Sequence, residues 1–556
     1  MPKHRKLQYN KKSTQQAAAF ADTLVSAATS SSTAIFDSAA AETFIGEQVS
    51  RSGSALPEEL QKVLDEAGEN SGVIVRAIYD GIQNYEAATG EAVPADVIES
   101  SIHAAYSTTM EARKLFDSAN SDHADNLSLQ PNRAVVAILN MFAEPIPFAH
   151  YLPADIGSNE ARLAILSHTA GSTFGGYAQG DLMDGVAGGN AFITSARIHK
   201  CAISDADGTV TGKLTKIQLS DETCDPAAGD LKLMRGRSVV YVNGFIAARE
   251  VSQAGSGGSA ISGSITLGET NYAIAGSINT DTGAIALTTN PKLPTTNQVV
   301  VEGFIDYERD DSLIPRIITS ADTFSLYAKP WHAYTQIGID ARTQIGNELG
   351  LDAFSEGVLA IQNQFGNERH YEAIHKLARI AANNQEDFEY NWSGRSLQMN
   401  RSQIWNDFGA VVGKVSLKMA IATMAFGVKY FYVGKELSAQ FRALPREMFE
   451  PSGLPERAGI YRIGRFLGIY DVYFTPKGVY ESADGTSAQV LCIGQSADVT
   501  RSPIVLGDAV APTVQALGMS QNLKQGSGFY ARNFTSVNPH APSAQGAAFI
   551  NVSGLK

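Results

Sequence analysis

The feature that most constrains this chain is the order in which its hydrophobic periodicity changes along its length. The clearest helical stripe is Leu351, Phe354, Val358, Ile361 and Phe365, which advances by three and four residues. Ile374, Leu377 and Ile380 continue a related face beyond Gly366, and Ile404, Phe408, Val411, Val415 and Met419 make another. Upstream, Pro57-Glu58-Glu59 opens a helix with proline early and acids at its positive end, followed by Leu60, Val63 and Leu64. Val73, Val75, Ile78, Tyr79, Ile82 and Tyr85 form a second stripe, and Pro94 starts a third helix carrying Val97, Ile98, Ile102 and Tyr106. Between these blocks, residues 195–310 read as strands, with Val239–Val242 and Val299–Val301 as cores and Thr280-Asp281-Thr282-Gly283 as a hairpin turn. A compact sandwich or barrel-like unit is the expectation there.

The remaining stretches set the joins. Residues 13–50 are rich in Ala, Ser and Thr, with four acids and no lysine or arginine, and read as an extended or weakly helical arm. Glycines crowd the region from Thr173 to Gly189, which suits a loop or strand connection. Helix is expected again after Trp331. From 428 onward strands and short helices mix, with Tyr430–Val433, Val472–Phe474 and Val490–Ile493 as apolar runs, and residues 527–553 read as extended.

Composition excludes several classes. Across 556 residues the net charge is -13, so the chain has no broad electrostatic reason to coat nucleic acid. The exception is a basic start, Lys3, Arg5, Lys6, Lys11 and Lys12, a candidate polyanion-contacting arm. Charged residues make up 18%, below the roughly 25% of soluble domains, as fits a surface partly buried between subunits. Three scattered cysteines, Cys201, Cys224 and Cys492, argue for a reducing compartment over a disulfide scaffold or structural zinc site. No run of 18 apolar residues exists and the basic start lacks a signal-peptide core, so the chain is expected to remain in the cytosol where it is made, with no membrane association.

Motifs for chemistry are weak. His370 and His375 lie five apart, which places them on different helix faces. Asp205, Asp207 and Gly208 lack the spacing of a calcium loop. Gly208–Lys213 has three residues between its glycines, with Leu214 where a phosphate loop needs Ser or Thr. Gly255–Ala260 is followed by strand-like alternation through Leu267, where a dinucleotide site needs a helix. No catalytic, cofactor-binding or metal-ligating residues are assigned.

The order of blocks resembles the major capsid proteins of tailed bacteriophages, with the Hong Kong 97-like fold, in the larger form found in contractile-tailed and large-genome phages. The residues that carry the likeness lie from about 300 to 556: the stripe Leu351, Phe354, Val358, Ile361 and Phe365; Leu467-Gly468-Ile469 followed by Tyr470–Phe474; Ile493-Gly494 with Pro503–Val510; and Phe529–Phe534. The resemblance implies an α+β fold with six parts: an N-terminal arm and helical extension over 1–125, a lead-in over 126–195, an extended loop with a β-rich insertion over 196–335, a peripheral domain with a long spine helix over 336–400, an axial α/β domain over 401–520, and a return to the peripheral domain over 521–556. It implies hexamers and pentamers of one chain in an icosahedral head around double-stranded DNA held non-specifically. The implied partners are portal, scaffold or maturation-protease proteins and a decoration or cement protein, and the implied location is the virion, assembled in the host bacterial cytoplasm. Phe44-Ile45-Gly46-Glu47 is similar to the short sites that maturation proteases cut, here after Glu47, although the segment is expected to be retained. No isopeptide crosslink is expected, since nothing singles out Lys213, Lys216 or Lys232. The alternatives are a tail sheath, baseplate or decoration protein, an encapsulin-like nanocompartment shell and, from another class, a secreted polysaccharide-acting enzyme.

Overall fold

The computed structural model describes residues 11–30, 37–50, 56–90, 92–106, 134–135, 138–139, 146–152, 159–251, 258–349, 353–517 and 524–556. The chain is α+β and divides into two compact units, Met1–Ile165 with Thr323–Lys556, and Leu166–Asp322. Strands Glu160–Ala170 and Ile317–Tyr327 carry the chain across the division.

The larger unit begins with five helices, Lys11–Ser30, Ser38–Ser50, Glu58–Ala67, Ser71–Thr89 and Ala95–Tyr106. The region read as an arm is therefore two ordered helices. Its alanines favour helix, but docking is what holds it: Ala17, Phe20, Ala21 and Leu24 recur at helical spacing and are buried, and Phe20 lies 6.2 Å from Phe44 between ring centres. In Ser71–Thr89 the buried face is Ile74, Val75, Ile78, Ile82 and Tyr85, with Val73 outside it. These helices share one core with Ile374 and Leu377 and with Tyr430, Tyr432, Tyr473, Leu491 and Ile493.

Two sheets complete this unit. One has four strands in the order His150–Tyr151, Ile504–Leu517, Lys524–Val537, Lys329–Gly338. Its first pair is parallel (His150 opposite Val505) and the others antiparallel (Ile504 opposite Val537, Lys329 opposite Asn533). Trp331 thus lies in a strand, and helix resumes only at Ile339. The second sheet has seven strands, in the order Gln385–Glu389, Ala547–Ser553, Ser487–Gly494, Val428–Val433, Tyr470–Phe474, Tyr461–Phe466, Phe449–Pro451. Helix Arg401–Thr423, opened by an Asn400/Gln403 capping box, lays Ile404, Trp405, Phe408, Val412, Val415 and Met419 into a core with Phe431, Phe441 and Phe466. The sequence-based boundary at 520 falls elsewhere in the structure. Ile504–Leu517 belongs to the four-stranded sheet, and Ala547–Ser553 is the second strand of the seven-stranded one, inside its edge strand Gln385–Glu389. Ala547, Ala548, Phe549, Ile550 and Val552 are all buried, the near-continuous apolar pattern of a strand covered on both faces.

The second unit holds a closed eight-stranded barrel, in the order Thr270–Asn279, Ala284–Asn290, Val210–Lys213, Ala196–Ile203, Val299–Phe304, Val239–Val242, Phe245–Glu250, Gly258–Leu267. Closure removes the exposed strand edges that an open sheet presents. The expected hairpin at Thr280–Gly283 is present, with Ile278 opposite Ile285 and Gly283 at φ 75°. Residues 323–335, placed in the insertion by the sequence reading, belong to the larger unit.

Candidate functional site

The long helix Ala353–Ala381 has 29 residues, about 44 Å at 1.5 Å per residue. Of the five residues predicted for its packing face, Leu351 and the side chain of Phe354 lie outside the described residues. Val358 and Ile361 are half-buried and Phe365 is buried. Phe365 packs edge-on against Trp331 and against Phe529, with ring centres 5.2 Å away in both cases. The face then continues through Ala373, Ile374, Leu377 and Ala381. Sequence reading missed the member between them, Arg369, which is buried against Asp508 (3.0 Å) and stands over the Tyr151 ring. Its signal was available: Asp508 is a lone acid inside the apolar strand Ile504–Val510.

Of the basic start, Lys3, Arg5 and Lys6 lie outside the described residues. Lys11 and Lys12 open the first helix, with the Lys12 side chain exposed and no acid in that turn. Cations at a helix N-terminus oppose the macrodipole. Glu47 is exposed within Ser38–Ser50, while Phe44 of the same four-residue site is buried.

Apolar side chains that face solvent mark a second feature. Leu417 and Ile421 are 68% and 56% exposed on helix Arg401–Thr423, one turn apart and off its buried stripe, and Leu397 just before that helix is 93% exposed. Off-stripe leucine and isoleucine in an amphipathic helix were legible as a surface that does not favour water. In the seven-stranded sheet, buried Asp471 is held by Arg462 (2.8 Å) and Arg465 (3.1 Å), which ties strand Tyr461–Phe466 to Tyr470–Phe474 across the turn at Leu467-Gly468.

The weak chemical motifs resolve into ordinary structure. His370 packs at an angle against the Phe148 and Tyr432 rings, its Nε2 3.1 Å from the Tyr432 hydroxyl, and burial pushes its pKa down to about 3. His375 is exposed. Asp205–Gly208 is a tight turn in which Asp207 accepts from Thr209 N and Oγ1. Hydrogen bonds from Ser204 and Thr209 hold the Asp207 carboxyl down to about 2. Val210–Lys213 is a barrel strand whose Lys213 pairs with Asp230 at 2.9 Å. Gly258–Leu267 is also a strand, and residues 252–257 lie outside the described residues. Among the described residues no cluster of three or more His, Cys, Asp or Glu is placed to hold a metal ion, and no helix is long and apolar enough to cross a membrane.

No family model and no curated protein matches the chain. Among solved structures it is similar to the capsid of jumbo bacteriophage PhiKZ, at 10% identity and a TM-score of 0.37, over 73% of this chain and 91% of that one. It is similar to the capsid of Myoviridae phage XM1 at 8% identity and a TM-score of 0.28, over 60% and 95% of the two chains. The SrpI encapsulin of Synechococcus elongatus is a third, at 10% identity and a TM-score of 0.28, over 44% and 81%.

Proposed function

We propose that this chain is the major capsid protein of a tailed bacteriophage, a shell subunit of Hong Kong 97-like fold that assembles with copies of itself into hexamers and pentamers around double-stranded DNA. The observation that carries the reading is the arrangement of the larger unit. A 29-residue helix packs on a sheet with two 14-residue strands, and a separate seven-stranded mixed sheet is covered by a second long helix. A β-barrel interrupts the chain just before these elements. On this reading the long helix and four-stranded sheet serve as spine helix and peripheral sheet, the seven-stranded sheet as the axial domain, and the barrel as the enlarged extended loop.

Two physical features support the reading. Leu397, Leu417 and Ile421 expose apolar surface on the axial domain, which suits burial between subunits. The exposed Lys12 stands in the first turn of a helix, where the positive end of the macrodipole favours an anionic neighbour. On this reading the N-terminal helices are retained: Phe44 is locked in their core, so cleavage after Glu47 needs local unfolding first.

Negative-stain microscopy of the expressed chain tests the proposal. Closed shells, or rings that close into hexamers, are expected. Tubes would transfer the chain to a sheath role, and dispersed monomers at high concentration would refute assembly. Nuclease-protected DNA inside source particles separates a phage head from a compartment loaded with protein.

A further inference from the structure

We infer that helix Ala95–Tyr106 is a proton-operated clasp, which docks the N-terminal helices onto the four-stranded sheet more tightly as pH falls from mildly alkaline towards neutral. The inference is independent of the capsid reading.

The helix carries three polar side chains that reach three different elements. Asp96, 2% exposed, lies 3.0 Å from His150 Nδ1 and accepts from the Tyr151 backbone N–H at 2.9 Å. Glu99 accepts from Ser13 and from Thr14 (2.6 Å) at the start of the first helix. His103, 3% exposed, lies 3.1 Å from Glu59 in the first turn of Glu58–Ala67. One twelve-residue helix thus binds the sheet through Asp96 and two neighbouring helices through Glu99 and His103.

At the sheet contact the proton-binding group is His150. His150 is buried and its other nitrogen, Nε2, lies 2.9 Å from the Ser496 carbonyl oxygen. A carboxylate and a carbonyl oxygen can only accept. With both protons on the ring, Nε2–H donates to the Ser496 carbonyl and the positive charge lies at ion-pair distance from the Asp96 carboxylate, although Nδ1 is not aligned for a hydrogen bond. Among the described residues Asp498, beyond Ser496, also faces the ring and has the same sign as Asp96. On the neighbouring strand and long helix, Asp508 is matched by Arg369. Burial alone would lower the His150 pKa; Asp96, the Ser496 carbonyl and Asp498 together carry it above the ordinary histidine value.

A group that holds its proton more tightly docked than free stabilises docking below its free value, near 6.5 for histidine, and loses that contribution as pH rises through its docked value. Glu99 acts in the same direction at lower pH. Burial raises its pKa, with Glu59 and Asp96 adding to the rise and the Ser13 and Thr14 hydroxyls opposing it.

A second contact to the N-terminal helices involves Arg462. Gly90, at φ 72°, ends helix Ser71–Thr89, and a Cβ there would stand 2.6 Å from Arg462 Nη1. The guanidinium sits at the negative end of that helix. The clasp therefore modulates docking and does not create it.

Amide hydrogen exchange on the full chain, corrected for intrinsic rates, tests the clasp at about pH 6.5 and about pH 8.5. Amides of Ala95–Tyr106 are expected to be several-fold better protected at the lower pH, while Val428–Val433 reports overall folding. His150→Gln keeps a donor but cannot charge, and should clearly reduce the difference. Equal protection of the natural chain at both pH values, or a His150→Gln variant with the full pH dependence, would overturn the inference. If that variant loses the Val428–Val433 protection, Asp96→Asn, which keeps an acceptor for the Tyr151 N–H, is read by the same criteria.

Discussion

Replacing Phe365 by alanine removes the one fully apolar ring that joins the long helix to both Trp331 and Phe529. Phe365 is 4% exposed and its buried cluster is small, with Phe529 and Ala531 as its other fully buried members. Phe→Ala changes in cores cost about 3–5 kcal/mol, and a small cluster that can partly collapse belongs at the lower end, about 3 kcal/mol. Of that, the two aromatic contacts account for about 1–2 kcal/mol. Leu359, six residues earlier on the same helix, is 51% exposed, and its change to alanine should move stability by no more than about 0.5 kcal/mol. Urea unfolding followed by tryptophan fluorescence reads both, since Trp331 sits against the ring being removed. The expected result is a clearly lower midpoint for Phe365→Ala at an unchanged slope, and almost none for Leu359→Ala. Equal midpoints would refute the assignment of Phe365 to the buried face and of Leu359 to the open one.

Three further outcomes follow from buried polar groups. Asp508→Ala strips Arg369 of its carboxylate and should cost about 3–5 kcal/mol, whereas Arg369→Met with Asp508→Leu should recover most of it; a double-mutant unfolding cycle checks this. His370 is held neutral, with its pKa pushed down to about 3. Stability should therefore be full above pH about 6.5 and fall by about 1.4 kcal/mol per unit as pH drops towards 3. His370→Gln should flatten that slope, and identical acid titrations of the two proteins would contradict the burial argument. All three cysteines are buried; burial pushes the Cys201 thiol up to about 12 and raises Cys224 and Cys492 as well. A disulfide exchange reagent should find no thiols in the folded chain and three after denaturation.

The contrast between the two cores shows what local pattern carries and what it does not. Ile404, Phe408, Val415 and Met419 were readable because a helix that covers one sheet face must repeat every three to four residues, and the barrel hairpin at Thr280–Gly283 was readable because its turn chemistry is local. The first fifty residues misled because alanine and serine give no strong stripe. Their helices pack on Ala95–Tyr106 and Ser71–Thr89, within a core that also takes in Ile374, Tyr432 and Leu491 from hundreds of residues away. The same holds for the last strand, whose apolar run says buried but not in which sheet.

The sequence by itself determined where helix and strand periods change and that the middle of the chain forms a compact β-rich unit. Tertiary structure alone decided that Ile504–Leu517 and Ala547–Ser553 join different sheets, that Arg369 meets Asp508, and that Asp96 meets His150. Periodicity is set by the geometry of a single element and survives in the order of residues. Pairings across fifty or more positions depend on how elements stack, and no spacing along the chain encodes them.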